Sequence, residues 1–211
     1  INDARTNIVG LLRVLDGVRE SGARKVVYAS SGGTIYGDVD SVLLPCGEET
    51  PKRPLSPYGV SKQTGSLYLD AYRHLHDLNG TTLALANVYG PRQDPHGEAG
   101  VVAIFASRLL SGRPCTVFGT GEQTRDFIYV DDVIDAFLAA IERADGELLN
   151  IGSGTETSIN DLYSKMAAET GGPAEPFRRA ARQGELARSS LDSSRAVVAL
   201  GWKPYTSLQD G

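Results

Sequence analysis

The stretch Lys25-Val26-Val27-Tyr28-Ala29-Ser30-Ser31-Gly32-Gly33-Thr34-Ile35-Tyr36-Gly37 decides the fold. Lys25 to Ala29 is short, β-branched and bounded by turn residues, which is the composition of a strand buried in a parallel sheet. A loop rich in hydroxyls and glycine leaves it, and strand ends in open α/β sheets are where ligands bind. Upstream, Ile8, Leu11, Leu12, Leu15 and Val18 recur at helical spacing within Asn2 to Ser21, and Gly22 stops that helix. Downstream, Gly32 to Pro57 is irregular and rich in Gly, Pro and acidic residues. Ser56 and Pro57 then read as the N-cap and first position of a helix from Tyr58 to about Asp77.

The alternation continues along the chain. Thr81 to Val88 reads as a second buried strand, Gly100 to Leu110 as a helix, and Thr116 to Phe118 and Asp126 to Tyr129 as short strands around a polar loop. Asp131 to Arg143 is helical, Leu148 to Ile151 a strand, and Ser158 caps a helix ending at Thr170. A last helix, Ser193 to Leu200, precedes Trp202. Strand alternating with helix predicts an α/β fold on a parallel sheet.

Composition excludes several function classes. Hydrophobic residues make up 41% and charged residues 22%, with a net charge of −5, the profile of a soluble globular protein. No basic tract offers a nucleic-acid footprint, and no apolar run is long enough for a membrane span. Cys46 and Cys115 match no metal or redox spacing. They read as reduced structural thiols of a cytoplasmic protein, and no metal site is expected.

Tyr58 and Lys62 stand four apart on a predicted helix and project from one face. A phenol with a pKa near ~10 is a poor base at neutral pH. A lysine ammonium held close by stabilises the phenolate, and lowering the pKa by about three units takes roughly 4 kcal/mol. Such a tyrosine can take a hydroxyl proton and return it. The spacing alone is common on helices, where an aromatic ring under a lysine stem is ordinary packing. The Ser-Pro cap and the hydroxyl-rich strand end give it functional weight.

Taken together, Ser30-Ser31-Gly32-Gly33-Thr34-Ile35-Tyr36-Gly37 and Ser56-Pro57-Tyr58-Gly59-Val60-Ser61-Lys62 resemble the signature of the extended short-chain dehydrogenases/reductases, the NAD-dependent epimerase/dehydratase family. The loop Asn87-Val88-Tyr89-Gly90-Pro91-Arg92-Gln93 and the run from Asp94 through Val102 are similar to its bacterial UDP-glucose 4-epimerase branch. Two departures stand out. Gly32 occupies the position where many relatives carry a catalytic serine or threonine, leaving Thr34 first and Ser31 second as the hydroxyl that orients the sugar. Ala84-Leu85 replaces the Arg-Tyr that usually precedes the asparagine.

The resemblance implies a partial Rossmann-like parallel sheet with a smaller α/β substrate-binding domain. Residues 1–90 and 126–152 would form the NAD-binding part, and 91–125 with 153–211 the nucleotide-sugar part. The family's glycine-rich phosphate loop is absent, so the chain is expected to lack the N-terminal portion of its relatives and, alone, to bind NAD weakly and turn over little substrate. Tyr58, Lys62, Ser30, Ser31 and Asn7 would touch NAD. Asn87, Val101, Thr116, Phe118, Arg125, Arg182 and Glu185 would hold a UDP-hexose, with Phe118 covering the pyrimidine and the arginines reaching phosphate.

The implied activity is 4-epimerisation by transient oxidation at C4, with a homodimer built through the helices of Asn2–Ser21 and Tyr58–Asp77. Other family members that modify nucleotide sugars, such as a decarboxylase or a glucuronate epimerase, remain alternatives, and a sugar-nucleotide 4,6-dehydratase is the first of them. It needs an Asp-Glu pair where Gly33 and Thr34 stand, which disfavours it. The second alternative is a non-catalytic fragment.

Overall fold

The computed structural model describes residues 1–96, 100–182 and 184–211. A helical run opens the chain: α1 (Asn2–Ala4), a π-helical turn (Arg5–Val9) and α2 (Gly10–Ser21). Gly22 ends it in the left-handed conformation, φ 73°, which glycine adopts without steric cost. Strand β1 (Lys25–Ser31) follows, then the short helix α3 (Gly32–Ile35) and the long α4 (Pro57–His76). The middle of the chain supplies β2 (Asn79–Leu85), β3 (Asn87–Tyr89), α5 (Val101–Leu110), β4 (Thr116–Phe118) and β5 (Thr124–Tyr129). The remainder is α6 (Val130–Glu142), β6 (Leu148–Ile151), β7 (Glu156–Ser158), α7 (Ile159–Thr170), β8 (Phe177–Arg179) and α8 (Ser194–Leu200).

Three small sheets carry these strands. The first is parallel in the order β1-β2-β6, with Val27 opposite Thr81 and Leu83 opposite Leu149. Successive strand residues point to opposite faces, so one strand feeds two layers. Val26 and Tyr28 pack with Leu15, Leu69 and Leu78 under α2 and α4. Val27 joins the opposite layer, where Leu83, Leu149 and Ile151 meet Val133, Ala136 and Ala140 of α6. The small alanines let α6 lie close to the sheet. Helices on both faces make this the expected Rossmann-like α/β arrangement.

The second sheet, β3-β5-β7, has β3 parallel and β7 antiparallel to β5, and β4 pairs with β8 in the third. Tyr89, Phe105, Leu109, Val117, Phe127, Leu162 and Tyr163 form a second core between α5 and α7.

Four features differ from the sequence reading. The strand expected over Thr81 to Val88 is two strands broken at Ala86, and they belong to different sheets. The irregular stretch after Gly32 contains α3 and a 3-10 turn at Ser41–Leu43. Strands β7 and β8 were not foreseen. Each is three residues long, β8 is wholly exposed, and neither carries apolar alternation, so only pairing with β5 and β4 defines them. The tail crosses the division drawn at residue 153: Leu191, Ala196, Leu200 and Trp202 sit in the core of the first sheet.

One carboxylate ties these parts together. Asp126 of β5 is 1% exposed and accepts hydrogen bonds from Ser153 N (2.8 Å), Ser153 Oγ (2.6 Å), Gly154 N (3.0 Å) and Leu191 N (3.2 Å). Asp126→Ala would leave four donors without their acceptor, one of them the buried Leu191 N, and the expected loss is roughly 3 kcal/mol in urea denaturation. A loss below about 1 kcal/mol would show that the carboxylate does not join the layers.

Candidate functional site

The site begins at the start of α4. Ser56 Oγ accepts from Gly59 N at 3.1 Å, and Pro57 occupies the first turn, where its missing N–H costs nothing. This cap sets the phase of the helix. Tyr58 stands in the first turn, 40% exposed as a residue, and Lys62 lies one turn further on.

Lys62 is clamped to the end of β1 in two directions. Its Nζ donates to Ala29 O at 3.0 Å, and its own carbonyl accepts from Ser30 Oγ at 3.3 Å. The ammonium sits 5.6 Å from the centroid of the Tyr58 ring. Burial pushes the Lys62 pKa down from its ordinary value, and the nearby Asp3 carboxylate opposes that shift. Asp3 accepts from Ser61 Oγ, the residue before Lys62, and from Asn7 Nδ2 at 2.8 Å. Asn7 therefore reaches the site through Asp3, its neighbour one helical turn back.

A cavity of about 250 Å³ opens beside the strand end, lined by Ser31, Thr34, Ser56, Asn87, Arg125 and Glu185, with Gly33, Leu55, Ala86, Gly184 and Leu186. Five residues named from sequence thus converge on it: Ser31, Thr34, Asn87, Arg125 and Glu185. Thr34 Oγ1 donates to Ser31 O at 3.3 Å. Arg125 donates to Thr124 O at 2.7 Å and lies 3.5 Å from Glu185 Oε1. Its side chain is 15% exposed, and burial pushes its pKa down while Glu185 opposes. A guanidinium this desolvated beside a cavity is a natural partner for a phosphate or carboxylate.

The other expected residues stand outside that cavity. Arg182 lies over the Phe118 ring at 3.9 Å to the centroid, so the arginine itself covers an aromatic face assigned to a base. Gln123 links this pair to the cavity, donating to Phe118 O at 3.0 Å and to Glu185 Oε1 at 3.4 Å. Thr116 pairs with Phe177 in the β4–β8 ladder, and Val101 packs at the start of α5 against the second core. Gly97, Glu98 and Ala99 of the epimerase-like run, and Gln183, lie outside the described residues. Sequence reading gave Ser56 only a capping role and missed Asp3. The acid-to-serine tie between Asp3 and Ser61 spans two helices, and no local pattern announces it.

Gly32 has a steric explanation. A Cβ added there would fall 2.4 Å from Leu191 Cδ1 and 3.0 Å from Ala84 O, whereas at Gly33 its nearest neighbour would be Asn87 Oδ1 at 3.5 Å. The tail fills the space that a side chain at Gly32 would need.

The chain is similar to known proteins in both sequence and fold. The profile of the NAD dependent epimerase/dehydratase family matches residues 2–152. The chain is 49% identical over 210 residues to a UDP-glucose 4-epimerase of Mycolicibacterium smegmatis, covering 99% of this chain and 66% of that protein. Among solved structures, a UDP-glucose 4-epimerase of Thermotoga maritima with UDP-glucose superposes at a TM-score of 0.96, with 44% identity, over 100% of this chain and 68% of that one. A Thermus thermophilus UDP-glucose 4-epimerase in complex with NAD gives 0.91 at 38% identity, over 99% of this chain and 68% of that one. The chain spans about two thirds of the length of these relatives.

Restoring a side chain at Gly32 tests the packing. Gly32→Ser is expected to cost about 1–3 kcal/mol in urea denaturation. Combining it with Leu191→Ala should cost less than the two single changes added together, because the truncation opens the space the serine needs. Strict additivity would show that Leu191 does not exclude a side chain there.

Proposed function

The chain belongs to the NAD dependent epimerase/dehydratase family, and on that premise we propose that the polypeptide carrying it interconverts UDP-glucose and UDP-galactose by reversible oxidation at C4 of the hexose. The observation that carries this reading is the clamped Lys62 ammonium beside the exposed Tyr58 ring, on the helix whose cap, Ser56, lines a cavity that also holds a desolvated arginine. The named relatives support the choice of sugar nucleotide.

The residues present fit the nicotinamide-riboside end of NAD. An ammonium carries three donors. One from Lys62 reaches Ala29 O, and donors of this kind suit the vicinal hydroxyls of a ribose. Ser30 and Ser31 at the end of β1, with Tyr58, complete that face, and Asn7 supports it through Asp3. Bound NAD supplies a reversible hydride acceptor for C4. The chain's own groups handle the proton. Tyr58 takes it from the C4 hydroxyl as the sugar is oxidised and returns it once the opposite face is presented. Lys62 holds the positive charge that makes the phenolate accessible near neutral pH. Thr34, turning its one O–H away from Ser31 O, donates to the sugar oxygen from the cavity wall, with Ser31 as alternative.

Asn87, Arg125 and Glu185, which line the same cavity, grip the sugar-diphosphate. Arg182, Phe118, Thr116 and Val101 lie further out, toward the nucleoside. For Phe118 to cover a pyrimidine, either Arg182 moves from the ring or the base takes its other face. Residues 1–90 and 126–152 serve as the NAD side and 91–125 with 153–211 as the sugar-nucleotide side, with the 191–202 segment shared. A 4,6-dehydratase fits less well, because Gly33 places no acid in the cavity.

No helix among the described residues is long and apolar enough to cross a membrane. A cytoplasmic location and a homodimer are part of the same proposal. Val14 on α2 and Val60 and Leu67 on α4 are exposed, as a face awaiting a second copy requires.

The test is turnover of UDP-galactose by the whole polypeptide carrying these residues, with UDP-glucose read by a coupled dehydrogenase. Tyr58→Phe is expected to lower kcat by about 10²–10⁴ with KM little changed. Undiminished sugar inversion in that variant would overturn the assignment. Thr34→Val should lower kcat more than Ser31→Ala, and the reverse order would exchange their roles.

A further inference from the structure

The Lys62 ammonium faces a second aromatic ring besides Tyr58. Its Nζ lies 5.3 Å from the centroid of Tyr28, within the range at which a cation is attracted to a π face. Tyr28 comes from β1, so a ring on the sheet and a ring on α4 flank one charge. The tyrosine is 9% exposed and wedged among Leu15, Leu69 and Leu78. Its hydroxyl is buried and has no hydrogen-bond partner among the described residues. That hydroxyl is pressed onto α4 at Gly65, where an added Cβ would come within 2.3 Å of it. A buried hydroxyl without a partner carries a desolvation cost. What the site gains from this residue is therefore its ring face.

We propose that Tyr28 is a positioning residue: its ring holds the half-buried Lys62 ammonium charged and aimed at Tyr58. The proposal rests on the reading of Tyr58 and Lys62 as the proton-handling pair. Burial strips water from the ammonium, and three features compensate: the carbonyl of Ala29, the two ring faces and the Asp3 carboxylate. The titratable groups acting on Lys62 are Tyr58 on its own helix, Tyr28 from β1 and Asp3 from α1. Burial, reinforced by Tyr58, pushes the Tyr28 phenol up to about 12, so its ring stays neutral where the site works.

The experiment separates the ring's electrostatics from its shape. Position 28 is replaced by phenylalanine and then by di- and trifluorophenylalanine, which keep the packing while draining the electron density of the ring face. The ionisation of Lys62 is followed through the ¹³Cε resonance of labelled lysine, assigned with Lys62→Arg, in the whole polypeptide that carries these residues. Tyr28→Phe should leave the Lys62 pKa nearly unchanged. Fluorination should lower it stepwise, by about half a unit to one unit in total. The alkaline limb of kcat should move down in parallel, with KM unaltered.

A pKa that stays flat across the fluorinated series would overturn the proposal. The resonance titration needs neither sugar nor cofactor. A polypeptide inactive on UDP-galactose would refute the proposed function and leave this test standing.

Discussion

Two hydrogen bonds, from Lys62 Nζ to Ala29 O and from Ser30 Oγ to Lys62 O, fix where the long helix α4 meets the end of β1. The Tyr58 side of the site takes its position from that junction. Because the bonds run in opposite directions, the helix can neither slide along the strand nor rotate about its axis without breaking one. The Ser56 cap fixes the start of the helix, and the tight approach at Gly65 fixes its depth against Tyr28. With phase, depth and register set, Tyr58 has one place to stand.

The opposite wall depends on the tail of the chain. Asp126 binds Leu191 N together with the loop after β6, and Leu191 then reaches under Gly32. The glycine at a position where relatives carry a hydroxyl is a packing consequence of this arrangement. Thr34 and Ser31 on either side of it line the cavity and carry the nearby hydroxyls. Arg125 of β5 and Glu185, from the segment before Leu191, line the same cavity. The cavity is thus built from parts distant in sequence but tied to a single buried carboxylate.

Much of this was legible in the sequence, for physical reasons. Helix α4 announced itself by a serine-proline start, and β1 by a β-branched run between turn residues. Ser31, Thr34, Asn87, Arg125 and Glu185 were named from motif order and converge on one cavity. What stayed hidden depends on contacts between distant residues. Strands β7 and β8 exist only through their partners, and the Ala86 break is a change of sheet rather than of local propensity. The Leu191–Gly32 contact, the Arg182–Phe118 stack and the Tyr28–Lys62 approach each join segments that no periodicity relates. Long-range packing decided all three.

The central claim is that a cation one helical turn away makes a tyrosine hydroxyl acidic. The most direct measurement is the pH at which Tyr58 ionises. It is read as ultraviolet phenolate absorbance by difference against Tyr58→Phe, with Lys62 intact and with Lys62→Met. The expected result is ionisation at least about one pH unit higher once the ammonium is gone. Ionisation of Tyr58 at the same pH in both chains would contradict the account.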